Sequence, residues 1–324
     1  MNLKKLALWV SVALLGGLTN PTSAQTYPNR PIRLIVPYPA GGGTDILARS
    51  VFQKVSESLG QPFVVENKGG AGTSIGLAEV ARSHPDGYTI GIGGTSDPLL
   101  PILYDNLPFN PMTDLIFVST LASVPIVLVA GPSVPAKTMQ EFLAYAKGKN
   151  TAPLSYASMG VATPHHMAGI LLAATLGIPL THIPYKGTAP ALTDLVGGHV
   201  PLATIGLPSA LPYAREGKLK ILGVASAKRS ALAPEIPTIE EGGLKDFVAS
   251  YWWHVIAPKG TPKPIVDRLN DEIGKALRLP ELRDSLLKGG FEPLVLTRDE
   301  ADRALKEDTA RWTKVIRENN IRGQ

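Results

Sequence analysis

Beyond its first 30 residues, the chain alternates short apolar runs with longer stretches that have helical spacing. Residues 32–36 form an apolar run between two prolines, which predicts a buried strand. In residues 45–59 the apolar positions recur every three or four residues, which predicts one buried face of a helix. Further strands are predicted at 63–65 and 88–92, with a helix near 74–82 between them. This order is typical of a doubly wound α/β sheet.

A second series of the same kind runs from about residue 125 to about residue 225. Its predicted strands are short apolar runs, at 126–130, 154–157, 180–183, 200–205 and 219–225. Thr138 and Glu141 have the spacing of a capping box before a helix that reaches about residue 147. Thr163 and Pro164 indicate the N-cap and first residue of another helix, because the N–H that proline lacks has no partner there anyway.

After Pro258 the chain becomes helical and charged. Thr297 and Glu300 form a second capping box, before a helix that we expect to reach about Asn320. Two α/β series and a helical tail provide enough elements for two domains but not for three. We therefore expect the chain to start one domain, build a second, and return to the first near residues 245–256.

The composition narrows the class of protein. A hydrophobic content of 44% excludes a disordered chain, and 324 residues suggest about two domains. The absence of cysteine excludes disulfides, thiol nucleophiles and metal–thiolate sites. The net charge of +5 is mild for this length and is not gathered into runs, so we expect no nucleic-acid partner.

Residues 1–24 have the pattern of a secretory signal peptide. Lys4 and Lys5 are basic, and the apolar run at 6–15 is too short to span a bilayer comfortably. Small residues precede a cleavage position after Ala24. We expect the rest of the chain to be exported and soluble, without the lipid-bearing cysteine of an anchored lipoprotein.

Glycine- and hydroxyl-rich loops follow the predicted strands and are the best candidates for ligand contacts. Residues 37–45 carry three glycines and lead into a helix start, whose free N–H groups suit an anion such as a carboxylate. A plain tight turn is the alternative interpretation of this loop. We expect Asp45, at that helix start, to stay ionised and orient loop groups. Loops at the carboxyl ends of strands converge on one crevice. The other loops of this kind are 67–76, 93–97, 158–164, 184–188 and 206–209.

Other motifs give weaker indications of chemistry. Residues 72–76 match G-x-S-x-G, the hydrolase nucleophile elbow, which would make Ser74 a nucleophile. That motif needs a strand directly before the serine, and here a long polar loop follows Val65. A dinucleotide fingerprint fails because Ile46 occupies its third glycine position. The histidines lack metal-binding spacing, so we expect no metal and no cofactor.

The chain resembles the Bug (TctC-like) family, the periplasmic substrate-binding proteins of tripartite tricarboxylate transporters. The resemblance covers nearly the whole chain after the leader, and its motifs occur in order. The segments that carry it are 27–28, 31–32, 37–45, 67–72, 84–89, 158–160 with His166, 183–187, 236–242, Trp253 and 257–262.

This resemblance implies two α/β domains around a central ligand cleft, a type II periplasmic binding protein (Venus flytrap) without catalytic activity. The implied domains are residues 25–125 with 251–324, and residues 126–250, with hinges near 122–127 and 245–256. The family holds a ligand carboxylate with backbone amides, hydroxyls and ordered waters. With the loops above, the expected ligand contacts are Tyr38, Ala40, Gly41, Gly42, Thr44, Asp45, Thr73, Ser74, Thr95, Ser158, Gly160, Thr163, Tyr185 and Gly206.

The chain also departs from the family pattern. Residues 204–207 stand where the family often has an aspartate, and His254 stands where a glycine usually follows Trp253. Without that acid no carboxylate would face an ammonium group. We therefore favour a plain organic acid, aromatic or dicarboxylic, over an amino acid.

The implied location and partners follow from the same resemblance. We expect a periplasmic monomer that contacts membrane transporter subunits transiently. Two alternatives remain open at this point. One is a ligand-sensing protein that feeds a receptor, and the other is an exported hydrolase that uses Ser74.

Overall fold

The computed structural model of the chain describes residues 27–104, 106–148, 153–160, 163–245, 247–249, 251–319 and 321. The predicted leader at 1–24 and its cleavage position lie outside the described residues, as does the predicted helix end at Asn320. Within the described residues, no helix combines the length and apolar character needed to cross a membrane.

The first half of the chain alternates strands and helices. The elements are β1 (Ile32–Val36), α1 (Gly43–Leu59), β2 (Phe63–Asn67), α2 (Ser74–Ala81) and β3 (Thr89–Gly94), then α3 (Leu100–Leu103), α4 (Pro111–Asp114) and β4 (Leu115–Val124). Single 3₁₀ turns precede α2 and α3, at Ala71–Thr73 and Asp97–Leu99.

The second half repeats this order and then becomes helical. Its first group is β5 (Ile126–Ala130), α5 (Met139–Ala146), β6 (Leu154–Ser158), α6 (Pro164–Leu176), β7 (Leu180–Pro184), α7 (Thr188–Val196), β8 (Leu202–Gly206), α8 (Leu207–Arg215) and β9 (Lys220–Val224). The last group is β10 (Tyr251–Pro258), α9 (Lys263–Arg278), α10 (Pro280–Lys288), β11 (Glu292–Pro293) and α11 (Arg298–Glu318).

These strands form two mixed sheets. The first has the order β11-β4-β10-β3-β1-β2, and the second has the order β7-β6-β8-β5-β9. In the first sheet β1 runs parallel to β2 and β3, whereas β10 lies antiparallel between β3 and β4. In the second sheet β6 runs parallel to β7 and β8, whereas β5 lies antiparallel between β8 and β9. Each sheet therefore has three parallel strands beside an antiparallel strand that arrives from the other domain.

Helices cover both faces of the sheets, which explains the unbroken apolar runs. In β1, Leu34 packs with α1 on one face, whereas Ile35 belongs to a buried cluster on the opposite face. In β5, Leu128 and Val129 divide between two clusters in the same way. Since side chains alternate between the faces of a strand, a strand covered on both sides needs apolar residues at every position.

Two chain segments connect the sheets. Pro125 separates β4 from β5, and its carbonyl oxygen accepts a hydrogen bond from Leu207 N at 2.8 Å. On the return path Ala249 N donates to Ala225 O at 2.6 Å, just before β10 begins. Helix α11, at the end of the chain, also contacts α6.

Most elements predicted from sequence periodicity are confirmed. The strands at 32–36 and 126–130 have the predicted bounds, and Thr297 forms the predicted capping box with Glu300. Thr163 caps α6 and accepts a hydrogen bond from His166 N at 3.3 Å. The fold class of two α/β domains is also confirmed, with the addition that both sheets are mixed. The ten-residue strand β4 was not predicted.

Candidate functional site

The loops singled out in the sequence gather at one edge of each sheet. The register pairs Val36 with Asn67 at the ends of β1 and β2. Gly94, at the end of β3, pairs with Trp253 near the start of β10. In the second sheet Ser158, at the end of β6, pairs with Pro184. The loops that follow these strand ends therefore surround one space, as expected for an open α/β sheet.

A cavity of about 360 Å³ lies between the two sets of loops. A volume of this order is typical of sites for small organic ligands, roughly 300–1,000 Å³. Its walls come from both domains and are formed by Tyr38, Gly72, Thr73, Ser96, Leu100, Leu103, Tyr104, Val124, Ile126, Met159, Thr163, Pro164, His165, Tyr251 and Trp253. A much smaller cavity beside it is lined in part by Thr95 and Ser96.

The loop after β1 is held in place by the carboxylate of Asp45, which is buried in the first turn of α1. This carboxylate accepts hydrogen bonds from Gly41 N at 2.9 Å, Asn67 Nδ2 at 3.0 Å and Arg49 Nε at 3.0 Å. Asn67 Nδ2 also donates to Tyr38 O at 3.0 Å. Gly41 has φ +76°, a conformation that favours glycine. The carboxylate thus fixes the loop that presents Tyr38.

The electrostatics of Asp45 agree with this structural role. Burial alone would raise its pKa, but the hydrogen bonds from Arg49, Gly41 and Asn67 outweigh burial and lower it. The group is therefore ionised at neutral pH. Asp45 does not line the cavity, and it supports the loop from beneath.

Two tyrosines and a tryptophan form the first-domain end of the cavity. Tyr38 Oη and Tyr251 Oη are 2.7 Å apart, and either can donate to the other. Burial raises the pKa of both phenols, so both are neutral. The pair uses one of its two protons in this bond, which leaves the other available to an acceptor. Trp253 is 8% exposed, and its Nε1 has no hydrogen-bond partner; it comes near Tyr38 Oη without hydrogen-bonding geometry.

The loop after β2 adds a further donor. Thr73 has φ +84°, directly before α2, and its buried Oγ1 makes no hydrogen bond of good geometry. Gly72, with φ +60°, leaves room for the hydroxyl of Tyr104, which a Cβ at this position would meet. Buried polar atoms without partners are uncommon in folded proteins. At a cavity wall, Thr73 Oγ1 and Trp253 Nε1 are therefore candidates for ligand contacts.

A buried acid and a buried histidine lie behind this wall. Asp97 Oδ2 accepts from Gly94 N at 2.7 Å, and Asp97 Oδ2 and His254 Nε2 both approach the same side of Gly93. Burial raises the pKa of Asp97 to about 7, although the Gly94 amide and the nearby Thr73 hydroxyl favour its charged form. Burial lowers the pKa of His254 to about 3. The histidine is therefore neutral at neutral pH and supplies no positive charge to the cleft.

The second domain contributes the start of α6. Thr163 lines the cavity, and its hydroxyl donates to Gly160 O at 2.8 Å while capping the helix. Gly160 has φ +120°, so it makes the tight turn after β6. His165 also lines the cavity, and burial lowers its pKa to about 4. This imidazole is neutral at neutral pH as well.

Other predicted second-domain contacts lie behind that wall. Ser158 is fully buried, and its Oγ lies 2.7 Å from His182 Nε2. Tyr185 Oη donates to Asp194 Oδ2 at 2.6 Å. Gly206 precedes α8 at the junction with β5, where a Cβ would press on Val124. These residues shape the second-domain side and do not line the cavity in this conformation.

The predicted contact residues thus fall into three groups. Tyr38, Thr73 and Thr163 line the main cavity, and Thr95 lines the small one. The other predicted contacts line neither cavity: Ala40, Gly41, Gly42, Thr44, Asp45, Ser74, Ser158, Gly160, Tyr185 and Gly206.

Sequence reasoning missed several residues of the wall. Leu100 and Met159 gave no chemical signal, and Tyr251 belongs to a strand that only long-range pairing brings here. The family motif already contained Trp253, which could have been added to the expected contacts on that ground.

The surroundings of Ser74 differ from a nucleophile elbow. Ser74 is the first residue of α2, and residues 68–73 separate it from the end of β2. An elbow needs the serine on a sharp turn directly after the strand. Among the described residues, no cluster of three or more His, Asp or Glu could hold a metal ion.

Comparisons with known proteins agree with this geometry. The model of a family described as the tripartite tricarboxylate transporter family receptor matches residues 47–321. Protein BugT of Bordetella pertussis is 35% identical over 325 residues, which cover 99% of both proteins.

Two solved structures with bound ligands are also similar. One is the R. palustris protein Rpa4515 with adipate, at 33% identity and a TM-score of 0.76, over 91% of this chain and 99% of that one. The other is MatC from Rhodopseudomonas palustris with bound malate, at 32% identity and a TM-score of 0.72, over 90% of this chain and 100% of that one.

Proposed function

The chain belongs to the tripartite tricarboxylate transporter family of receptors, and from this premise we propose that it is an extracytoplasmic solute-binding protein. It captures a small organic carboxylate in the cleft between its domains and delivers it to a membrane transporter of the tripartite type. Adipate and malate, found in two similar structures, are both carboxylates.

One observation carries this proposal: uncharged donors without partners belong to residues that line the cavity. Trp253 Nε1 and Thr73 Oγ1 are buried and unbonded, and the Tyr38–Tyr251 pair holds a spare proton. Neutral donors that converge on one point suit a carboxylate, because each oxygen accepts two or more hydrogen bonds. The nearby start of α2 adds the positive end of a helix dipole.

We assign the expected contacts to two roles. Tyr38, Thr73 and Thr163 contact the ligand directly, with Thr95 beside them. Because the Thr163 hydroxyl already donates its proton to Gly160 O, Thr163 contacts the ligand without donating to it. The loop residues around Asp45 hold the first wall in shape, and those around Ser158 form the second wall, which approaches the ligand when the domains close.

Domain closure rotates two units about the connecting segments. The units are residues 25–125 with 251–324, and residues 126–250, with hinges near 122–127 and 245–256. The change of sheet at Pro125 and the start of β10 at Tyr251 support these boundaries. The units also meet outside the crossings, where Glu292 accepts hydrogen bonds from Ser230 Oγ and from Ala231 N at 2.7 Å, so closure must keep or replace these bonds.

The location and partners follow from the same role. After cleavage behind Ala24 the protein is a periplasmic monomer without a cofactor, and its contacts with the membrane subunits are transient. It is a binding protein without catalytic activity. The separation of Ser74 from the end of β2 by residues 68–73 supports this over the hydrolase alternative. A sensing role would use the same cleft and would differ only in the partner that receives the ligand.

Thermal-shift screening of organic acids tests the proposal. We expect at least one carboxylate to raise the melting temperature, and we expect the double variant Trp253→Phe/Thr73→Val to lose most of that shift. Ser74→Ala serves as the test of the alternative, since the proposal expects no ester turnover to be lost. If no carboxylate raises the melting temperature, the proposed ligand class is wrong.

A further inference from the structure

The cavity has two chemically different parts. The donors at Tyr38, Thr73 and Trp253 occupy the first-domain end. Most of the remaining wall consists of aliphatic side chains that come from α3, from both sides of the crossing at Pro125, and from the second domain: Leu100, Leu103, Val124, Ile126, Met159 and Pro164. Its other polar members are uncharged: Ser96, Tyr104, Thr163 and His165. The division indicates a ligand with one polar end and one apolar part.

The described residues of the wall carry no charged side chain at neutral pH. No lysine, arginine, aspartate or glutamate is among them. His165 is the ionisable imidazole of the wall, and burial lowers its pKa to about 4. Burial raises the pKa of Tyr38 and of Tyr251 well above the usual range of a phenol. A negative group in the cavity would therefore depend entirely on neutral donors.

Those donors can satisfy one carboxylate but not two. Trp253 Nε1, Thr73 Oγ1 and the Tyr38–Tyr251 pair lie at the same end. A second carboxylate on the same ligand would lie beside aliphatic groups such as Leu103 and Met159, in a part of the wall that has no cation and only a few uncharged polar side chains. Burying an unpaired charge is far more costly than burying an apolar group. An apolar body there instead gains about 25 cal/mol for each Å² removed from water.

We propose that the ligand is a monocarboxylate with an uncharged, apolar body, whose single carboxylate binds at the Trp253 end and whose body packs against the aliphatic wall. This inference rests on the proposed function and narrows its ligand class. The proposed ligand has one carboxylate, whereas adipate and malate, the ligands in the two similar structures, each carry two.

Matched pairs of acids test this preference by isothermal titration calorimetry at pH 7.5 and constant ionic strength. Hexanoate and adipate have the same chain length and differ by one carboxylate, and benzoate and terephthalate form the aromatic pair. We expect the monoacid to bind at least ten-fold more tightly in the pair that fits the cavity. Tighter binding of the diacid in both pairs would overturn the inference and leave the proposed function intact. If no monoacid or diacid binds, both fail.

A charge introduced into the aliphatic wall gives a second measurement. Met159 is partly exposed at the cavity, so Met159→Lys places an ammonium group there without filling the core. We expect this variant to shift the adipate-to-hexanoate affinity ratio at least ten-fold toward adipate. The matched control is Met112→Lys, on an exposed residue of α4 outside the cavity, which should leave the ratio unchanged. An unchanged ratio in Met159→Lys would contradict the placement of the ligand body.

Discussion

Substitution of Asp45 tests whether its carboxylate holds the loop that carries Tyr38 at the first-domain wall of the cavity. Replacing Asp45 with alanine removes the acceptor of three hydrogen bonds, from Gly41 N, Asn67 Nδ2 and Arg49 Nε. We expect the variant to fold, because α1 keeps its buried apolar face. We also expect it to lose stability and to bind its ligand less tightly, because the loop that carries Tyr38 is no longer held.

The expected cost can be worked out from these contacts. Each hydrogen bond to a charged group contributes about 1.5–3 kcal/mol, and the donors at Gly41 and Asn67 are partly buried. The side chain of Arg49 is 51% exposed, so its ion pair adds no more than about 0.5 kcal/mol. Because Asn67 keeps its bond to Tyr38 O, the total loss is about 2–4 kcal/mol. With an unfolding entropy of about 2.1 cal/mol/K per residue over a chain of about 300 residues, the melting temperature should fall by about 3–6 °C.

Three measurements check this expectation. Urea unfolding gives the stability change, and calorimetry with the tightest acid gives the affinity, which should fall about ten-fold, or about 1.4 kcal/mol. The control is Asp267→Ala, a partly exposed acid whose ion pairs with Lys263 and Arg298 should contribute less than about 1 kcal/mol.

The third measurement is the pH dependence. Hydrogen bonds lower the pKa of Asp45 in the folded state. The ionised carboxylate therefore adds to the free energy of unfolding at pH values above its pKa in the unfolded chain. This stabilisation is lost as the pH falls through its pKa in the folded protein. Asp45→Asn should therefore flatten the acid limb of the stability curve. Unchanged stability and unchanged affinity in Asp45→Ala would refute the supporting role of this carboxylate.

Three further predictions concern other parts of the site. Thr163→Ala and Thr297→Ala each remove an N-cap, and each should lower the free energy of unfolding by about 1 kcal/mol. Only Thr163→Ala should also weaken ligand binding, because of these two residues only Thr163 lines the cavity. Equal ligand affinity of the two variants would contradict this prediction. Burial raises the pKa of Asp97 to about 7, so its protonated form stabilises the fold at low pH and this contribution, up to about 4 kcal/mol, is lost as the pH rises toward 7. Asp97→Asn should remove that slope in urea unfolding between pH 5 and pH 7, and identical slopes would show that the pKa of Asp97 is not raised. Gly94→Ala directs a methyl group at the hydroxyl of Tyr251. In urea unfolding it should lower the stability by about 1–3 kcal/mol, and it should remove most of the ligand affinity. Wild-type affinity in this variant would mean that ligand binding does not depend on the present position of the Tyr251 hydroxyl.

Long-range partners explain the strand that periodicity missed. β4 contains Ser119 and Thr120, which are polar yet buried, so its apolar pattern is interrupted. Thr120 Oγ1 donates to Leu294 O at 2.6 Å, and this acceptor lies 174 residues along the chain. A buried hydroxyl is stable only when such a partner exists. Local sequence contains no information about a partner so distant.

Dependence on distant partners also separates the site residues that the sequence predicted from those that it missed. Tyr38, Thr73 and Thr163 stand in loops directly after predicted strands, and the rule that such loops converge was enough to select them. Tyr251 and Trp253 stand at the start of a strand that the chain reaches only after building the second domain. Their place beside Tyr38 depends on the pairing of β10 with β3.

The sequence alone therefore determined the features that depend on neighbours along the chain. These are the spacing of apolar positions, the helix caps at Thr163 and Thr297, and the loops that end in helix starts. The two-domain α/β class followed from their order. The tertiary structure alone decided which donors lack partners and which wall is aliphatic. Both depend on contacts between residues such as Tyr38 and Tyr251, 213 positions apart, whose free energy appears only when the sheets have formed.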